Sequence, residues 1–206
     1  MGEVQDFIKL LSRIHIFSDT NWLFLLHNLS SENPMPRGAR LDAPGTLRPV
    51  MVRGIEGHRI VIDDEDRFFF LSRMGKVASA TDASIFAWAL MSNHAHIFLK
   101  NAEVGISTFM RKLLSGYASA YNRRHQRHGH LFQNRYKSIA CEEDACSLRP
   151  VSYIHLNPLR TGLVGSLEEL EPYPWSGHSV VMNPIRHDWQ DREYVLGYFG
   201  EPAFTA

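Results

Sequence analysis

Apolar residues recur at helical spacing near the amino end, at Val4, Phe7, Ile8, Leu11 and Ile14, before a polar Ser-Ser-Glu-Asn-Pro break. Beyond it, strand-like and helix-like stretches alternate over 45–165. Residues 48–53 read as a strand. Residues 63–77 read as a helix that opens on Asp63, Asp64, Glu65 and Asp66, acids suited to the positive end of a helix dipole. Two strands follow at 85–91 and 94–99, with Ser92-Asn93 as the weak turn signal between them. A helical stripe over 106–124 carries Ile106, Phe109, Met110, Leu113, Leu114 and Tyr117. Residues 136–141 read as a further short strand. Residues 144–156 read as a helix, with Pro150 an anomaly inside it and Pro158 its stop. Elements mixed in this order predict an α+β fold, an antiparallel sheet with helices packed on one face. The last stretch, 166–206, is acidic, contains Pro and Trp, and is expected to be a tail of short helices and loops.

Composition adds bounds. A chain of 206 residues, 44% hydrophobic and 21% charged, suits one globular domain with attached ends. No apolar run, that at 22–26 included, is long enough to cross a bilayer. Two cysteines, Cys141 and Cys146, give no disulfide framework and read as reduced thiols, so a cytoplasmic location is expected. Net charge is zero, but its distribution is uneven. Residues 104–141 hold seven basic side chains and no acid, whereas 142–206 hold ten acids against four arginines. A basic middle is an electrostatic footprint for phosphate, and equally it is what a solvated helix face looks like.

The sharpest chemical feature is His94-Ala95-His96 within an apolar strand. Alternate residues of a strand share a face, about 6.6 Å apart, so two imidazoles there can converge on one cation. Alone, the pattern more often marks two polar side chains on a half-exposed strand. Downstream, Tyr153 and Asn157 lie four residues apart, which on a helix places both on one face. A tyrosine hydroxyl beside a metal-bound phosphate is a competent nucleophile, and an asparagine amide oxygen is a competent third ligand. A lone tyrosine is more often a core aromatic with its hydroxyl at the surface.

The segments Met35-Pro-Arg-Gly-Ala-Arg, Asp42-Ala-Pro-Gly, Val52-Arg-Gly54, Met91-Ser-Asn-His-Ala-His96, Gly129-His-Leu-Phe-Gln-Asn-Arg-Tyr-Lys137 and Tyr153-Ile-His-Leu-Asn-Pro158 together resemble the single-tyrosine HUH transposases. The nearest branch is the one associated with repetitive extragenic palindromes. The resemblance spans 35–165, leaving 1–34 as an extension outside the domain (Met35 is a candidate second start) and 166–206 as the tail. It implies a ferredoxin-like fold, Tyr153 as nucleophile, and a metal site of His94, His96 and Asn157 holding Mg²⁺ or Mn²⁺. The implied substrate is single-stranded DNA flanked by hairpins, and a homodimer is compatible with it. Two positions depart from the pattern: Pro150 lies in the nucleophile helix, and Ser152 stands where relatives tend to carry arginine.

The implied reaction is transesterification, with a 5′-phosphotyrosine intermediate and no need for ATP. Two imidazoles and an amide are all neutral, so a bound cation keeps its full charge and metal binding without DNA is expected to be weak. His130 and Lys137 are candidates for the base that takes the Tyr153 proton. Arg123, Arg124, Arg127, Arg135 and Lys137, interleaved with His125, His128, His130, Phe132 and Tyr136, suit the phosphates and bases of single-stranded or hairpin DNA. Two rivals remain. One is an inactive remnant of a transposase that only binds hairpin DNA. The other is a zinc protein built on Cys141 and Cys146, for which no second close pair completes a tetrahedral set.

Overall fold

The computed structural model describes residues 43–138, 148–183 and 187–200. The amphipathic stretch at 4–14, the Met35 motif and both cysteines lie outside the described residues, as do positions 139–141 of the strand expected at 136–141.

Side-chain alternation along the strands sorts the chain into two apolar layers. On β3 (His94–Lys100), Ala95, Ile97 and Leu99 face one layer, so His94, His96 and Phe98 face the other. β1 (Leu47–Arg53) runs antiparallel beside β3, with Met51 opposite His96 and Arg53 opposite His94. β2 (Ser84–Leu90) flanks β3 on its other side, with Ala89 opposite His96. The short β4 (Lys137–Ser138) pairs antiparallel with β1 and completes the order β2-β3-β1-β4. α1 (Asp64–Thr81) connects β1 to β2, and α2 (Gly105–Arg124) connects β3 to β4. The result is the ferredoxin-like α+β sheet that the sequence implies.

The first layer packs Phe70, Leu71 and Met74 of α1 and Phe109, Met110, Leu113 and Tyr117 of α2 onto the sheet. α1 starts where Asp63 accepts a hydrogen bond from the Asp66 backbone N–H. It runs one turn past the expected end and stops at Asp82, whose φ of 52° breaks the helix.

The second layer covers the opposite face. α3 (Leu148–His155) sets Val151 and Ile154 against Phe86, Ala87, Ala89 and Phe98. Phe86 and Ala87 both face this layer because a register shift between Ile85 and Ala87 inserts a bulge in β2. Pro150 lies in the first described turn of α3, where a missing N–H is tolerated. Leu156 separates α3 from α4 (Asn157–Arg160), and Pro158 has no N–H to carry the hydrogen-bond ladder across.

Residues expected to form a tail contribute to this second core. Leu170 of α5 (Leu167–Leu170), Val181 of α6 (His178–Met182) and Val195 and Leu196 of α7 (Arg192–Gly200) are all buried in it. The same segment seals the free edge of β2. Leu90 N–H donates to the Trp175 carbonyl, Gly177 N–H to Trp88 and Asp191 N–H to Ile85, at 2.8–2.9 Å. Gln190 accepts from Trp88 Nε1 at 2.8 Å and donates to the Phe86 carbonyl. An edge so paired cannot recruit another strand. Among the described residues no helix is long and apolar enough to cross a membrane.

Candidate active site

The site forms where the second face of β3 meets α3. Strand alternation puts His94 and His96 on that face, and their ring centroids are 5.1 Å apart. α3 presents Tyr153 to them: its ring centroid is 5.5 Å from that of His96, nearly perpendicular. Asn157, one turn on, is buried, and its amide lies near enough to the His94 ring and the Tyr153 hydroxyl to bear on the ionisation of both. The four side chains singled out in the sequence therefore converge.

Electrostatics favour neutral ligands. Burial, reinforced by the Arg53 cation opposite and opposed by the neighbouring Asn157 amide, holds the His94 pKa down to about 4. Burial and the neighbouring His94 hold His96 down to about 3. Both imidazoles thus keep a free lone pair at neutral pH. Burial raises the Tyr153 pKa above the ordinary phenol value, while the Arg160 cation and the Asn157 amide pull it back.

A divalent cation fits this donor set. Asn157 Oδ1 is buried and has no hydrogen-bond partner, the condition expected of an oxygen that serves a ligand. Among the described residues no group of three or more His, Cys, Asp or Glu side chains is arranged to hold a metal ion. With the two imidazoles, the amide oxygen makes three neutral donors on one face.

Three further residues belong to the site and were not singled out in the sequence. Asn93 Oδ1 lies 2.7 Å from His94 Nδ1, and its Nδ2 donates to the Gly57 carbonyl at 3.2 Å. That second bond fixes which way the amide points, so His94 carries its proton on Nδ1 and its lone pair on Nε2. Arg53 faces His94 across the β1–β3 register. Arg160 places its guanidinium carbon 5.3 Å from the Tyr153 ring centroid. Counting four and seven residues on from Tyr153 would have found Arg160 in the sequence; no local pattern marks Asn93 or Arg53.

The basic segment divides. Arg124 is drawn into the fold: Nη2 pairs with Asp63 at 2.7 Å and Glu65 at 2.8 Å, and Nη1 with Asp66 at 2.6 Å. His125 Nε2 adds a contact to Asp66 at 2.9 Å, so the end of α2 is tied to the start of α1. This is a strut between helices, unlike the free phosphate contact expected of Arg124. Arg123 and Arg135 are exposed, and Arg127 lies over the Tyr121 ring at 5.8 Å. Lys137 pairs with Met51, which pairs with His96, so it shares their face about 10 Å from His96 across two strand spacings. His130 is exposed on the loop after α2. Ser152 is fully buried, so the arginine missing there leaves no gap on the surface.

The family model described as "Transposase IS200 like" matches residues 51–157, a span that contains all four converging side chains. A solved REP-associated tyrosine transposase bound to a REP hairpin matches with a TM-score of 0.59 at 19% identity, covering 73% of this chain and 87% of that one. A transposase-like protein from Deinococcus radiodurans R1 gives a TM-score of 0.41 at 13% identity, covering 65% of this chain and 97% of that one. No curated protein matches.

Proposed function

Since the chain belongs to the IS200-like transposases, we propose that it cleaves and rejoins single-stranded DNA next to a hairpin, with Tyr153 as the nucleophile. The observation that carries this reading is the convergence of Tyr153, His94, His96 and Asn157 on one face, with the Asn157 oxygen buried and unpartnered.

His94, His96 and Asn157 would hold the cation, Mg²⁺ or Mn²⁺. When bound, it supplies Lewis-acid charge to a nonbridging oxygen of the scissile phosphate. The histidine pair orients that phosphate over the Tyr153 hydroxyl. A bond forms between Tyr153 Oη and phosphorus while the bond from phosphorus to the 3′-oxygen breaks. The products are a 5′-phosphotyrosine and a free 3′-hydroxyl, which carries, through solvent, the proton the phenol has lost. A 3′-hydroxyl attacking the phosphotyrosine reverses the step and joins strands. Arg123, Arg127, Arg135 and Lys137 bind the flanking phosphates, and Arg124 braces the segment that carries them.

A hairpin partner agrees with the fold, since the solved transposase of the same fold holds a REP hairpin. The test is incubation of labelled single-stranded hairpin DNA with Mn²⁺ and either wild-type or Tyr153→Phe protein. A covalent protein–DNA band is expected from the wild type alone. Binding by both proteins with no band from either would make this a hairpin-binding remnant instead.

A further inference from the structure

Tyr153, Asn157 and Arg160 occupy positions i, i+4 and i+7 of one stripe. The helical hydrogen bonds run almost unbroken through the join: Leu156 N–H to Ser152 and Arg160 N–H to Leu156 are both 3.0 Å. α3 and α4 therefore act as one rod, and a cation one turn past Asn157 is held over the nucleophile's ring at 5.3 Å.

Three of the described arginines are paired with carboxylates. Arg67 pairs with Asp64 at 2.8 Å, Arg124 with three acids and Arg192 with Glu193 at 3.1 Å. Arg160 differs: it is exposed, and among the described residues it meets no carboxylate. The tyrosine ring beneath it steadies the guanidinium without cancelling its charge. The planar donor fork stays available for a phosphate, the anion whose geometry it matches.

We infer that Arg160 is a catalytic residue, gripping the nonbridging oxygens of the phosphate that Tyr153 attacks. The inference rests on the nuclease reading above. Attack requires the Tyr153 oxygen within about 3.5 Å of phosphorus. A guanidinium seated on that same ring, with a flexible stem, reaches the phosphate from the side of α4, while the histidine pair approaches from the sheet. As the bond from Tyr153 forms and the bond to the 3′-oxygen breaks, negative charge builds on the nonbridging oxygens. Arg160 stabilises it by hydrogen bonds and gives up no proton.

The test is single-turnover cleavage of hairpin DNA with Mn²⁺ by the full chain as wild type, Arg160→Ala and Arg160→Lys, with melting temperatures and hairpin affinities recorded. The expected result for Arg160→Ala is a rate lowered about 100-fold, with an unchanged melting temperature and only a small change in affinity. Arg160→Lys recovers part of the rate, and so does millimolar guanidinium added to Arg160→Ala. Cleavage by Arg160→Ala at the wild-type rate would overturn the inference and leave the nuclease reading standing. So would a slowed variant that neither lysine nor guanidinium rescues, which would mark a packing role. Absence of any adduct from folded wild type would remove the nuclease reading, and this inference with it.

Discussion

Asn93 holds His94 by a 2.7 Å contact to Nδ1, and is itself held by the Gly57 carbonyl at the end of the turn that follows β1. Backbone geometry tightens the arrangement, because Gly54 N–H donates to the Asn93 carbonyl at 2.8 Å and a Cβ at Gly54 would lie 2.0 Å from the His58 carbonyl oxygen. The Arg-Gly step after β1 is thus part of what aims His94, a ligand of the proposed metal site. Replacing Asn93 with alanine is expected to weaken metal binding by about 10- to 100-fold, the usual cost of losing such an orienting partner. The Mn²⁺ concentration that gives half-maximal cleavage should rise accordingly. An unchanged value would mean that His94 needs no such support.

Metal affinity in the absence of DNA should be low. Two imidazoles and one amide contribute no negative charge, while hard cations such as Mg²⁺ and Mn²⁺ favour charged oxygen ligands. Calorimetric titration of Mn²⁺ into free protein is expected to show binding weaker than micromolar, strengthening when hairpin DNA adds its phosphate. Submicromolar binding by the free protein would point to a further acidic ligand.

The segment after α6 is predicted to be structural. Gly75 of α1 has no room for a side chain, since a Cβ there would lie 2.4 Å from Trp189 Cδ1. Trp189 in turn packs on Trp88 with ring centroids 5.8 Å apart. Gly75→Ala should lower stability by about 1–3 kcal/mol through overpacking, although alanine is the better helix former. Urea denaturation of the two proteins checks this. A stabilised variant would show that Trp189 is not seated against α1 in solution.

Stability should fall as the solution becomes mildly acidic. Burial holds the His178 pKa down to about 4 from its usual 6.5, so the folded chain keeps this ring neutral while the unfolded chain protonates it. The depressed value means that the contribution is complete above pH 6.5 and is lost as pH falls toward 4. One such group changes stability by at most about 1.4 kcal/mol per pH unit. His155, 5.9 Å away and also pushed well down by burial, acts in the same direction. His178→Gln should flatten the fall of the melting temperature between pH 6.5 and 4, and an unaltered slope would remove His178 as a cause.

Periodicity was enough to locate the strands and long helices, because β3 alternates strictly and α2 keeps one apolar stripe. The side chains that converge at the site were legible as spacing: two apart on a strand, four apart on a helix. What the sequence hid depends on contacts distant along the chain. Arg124 resembles its basic neighbours until α1 brings Asp63, Glu65 and Asp66 against it. The stretch after 166 has no strong period, yet Gln190 and Trp175 close an edge formed about a hundred residues earlier. Asn93 reads as a turn residue, and its amide acquires a role only through Gly57.

The most direct measurement is the identity of the residue that becomes joined to DNA. Protein incubated with hairpin DNA and Mn²⁺, digested with nuclease and protease and examined by mass spectrometry, should carry a nucleotide on the peptide containing Tyr153, and on no other. A nucleotide attached to a different residue, or no attachment from folded protein that binds the hairpin, would contradict the account.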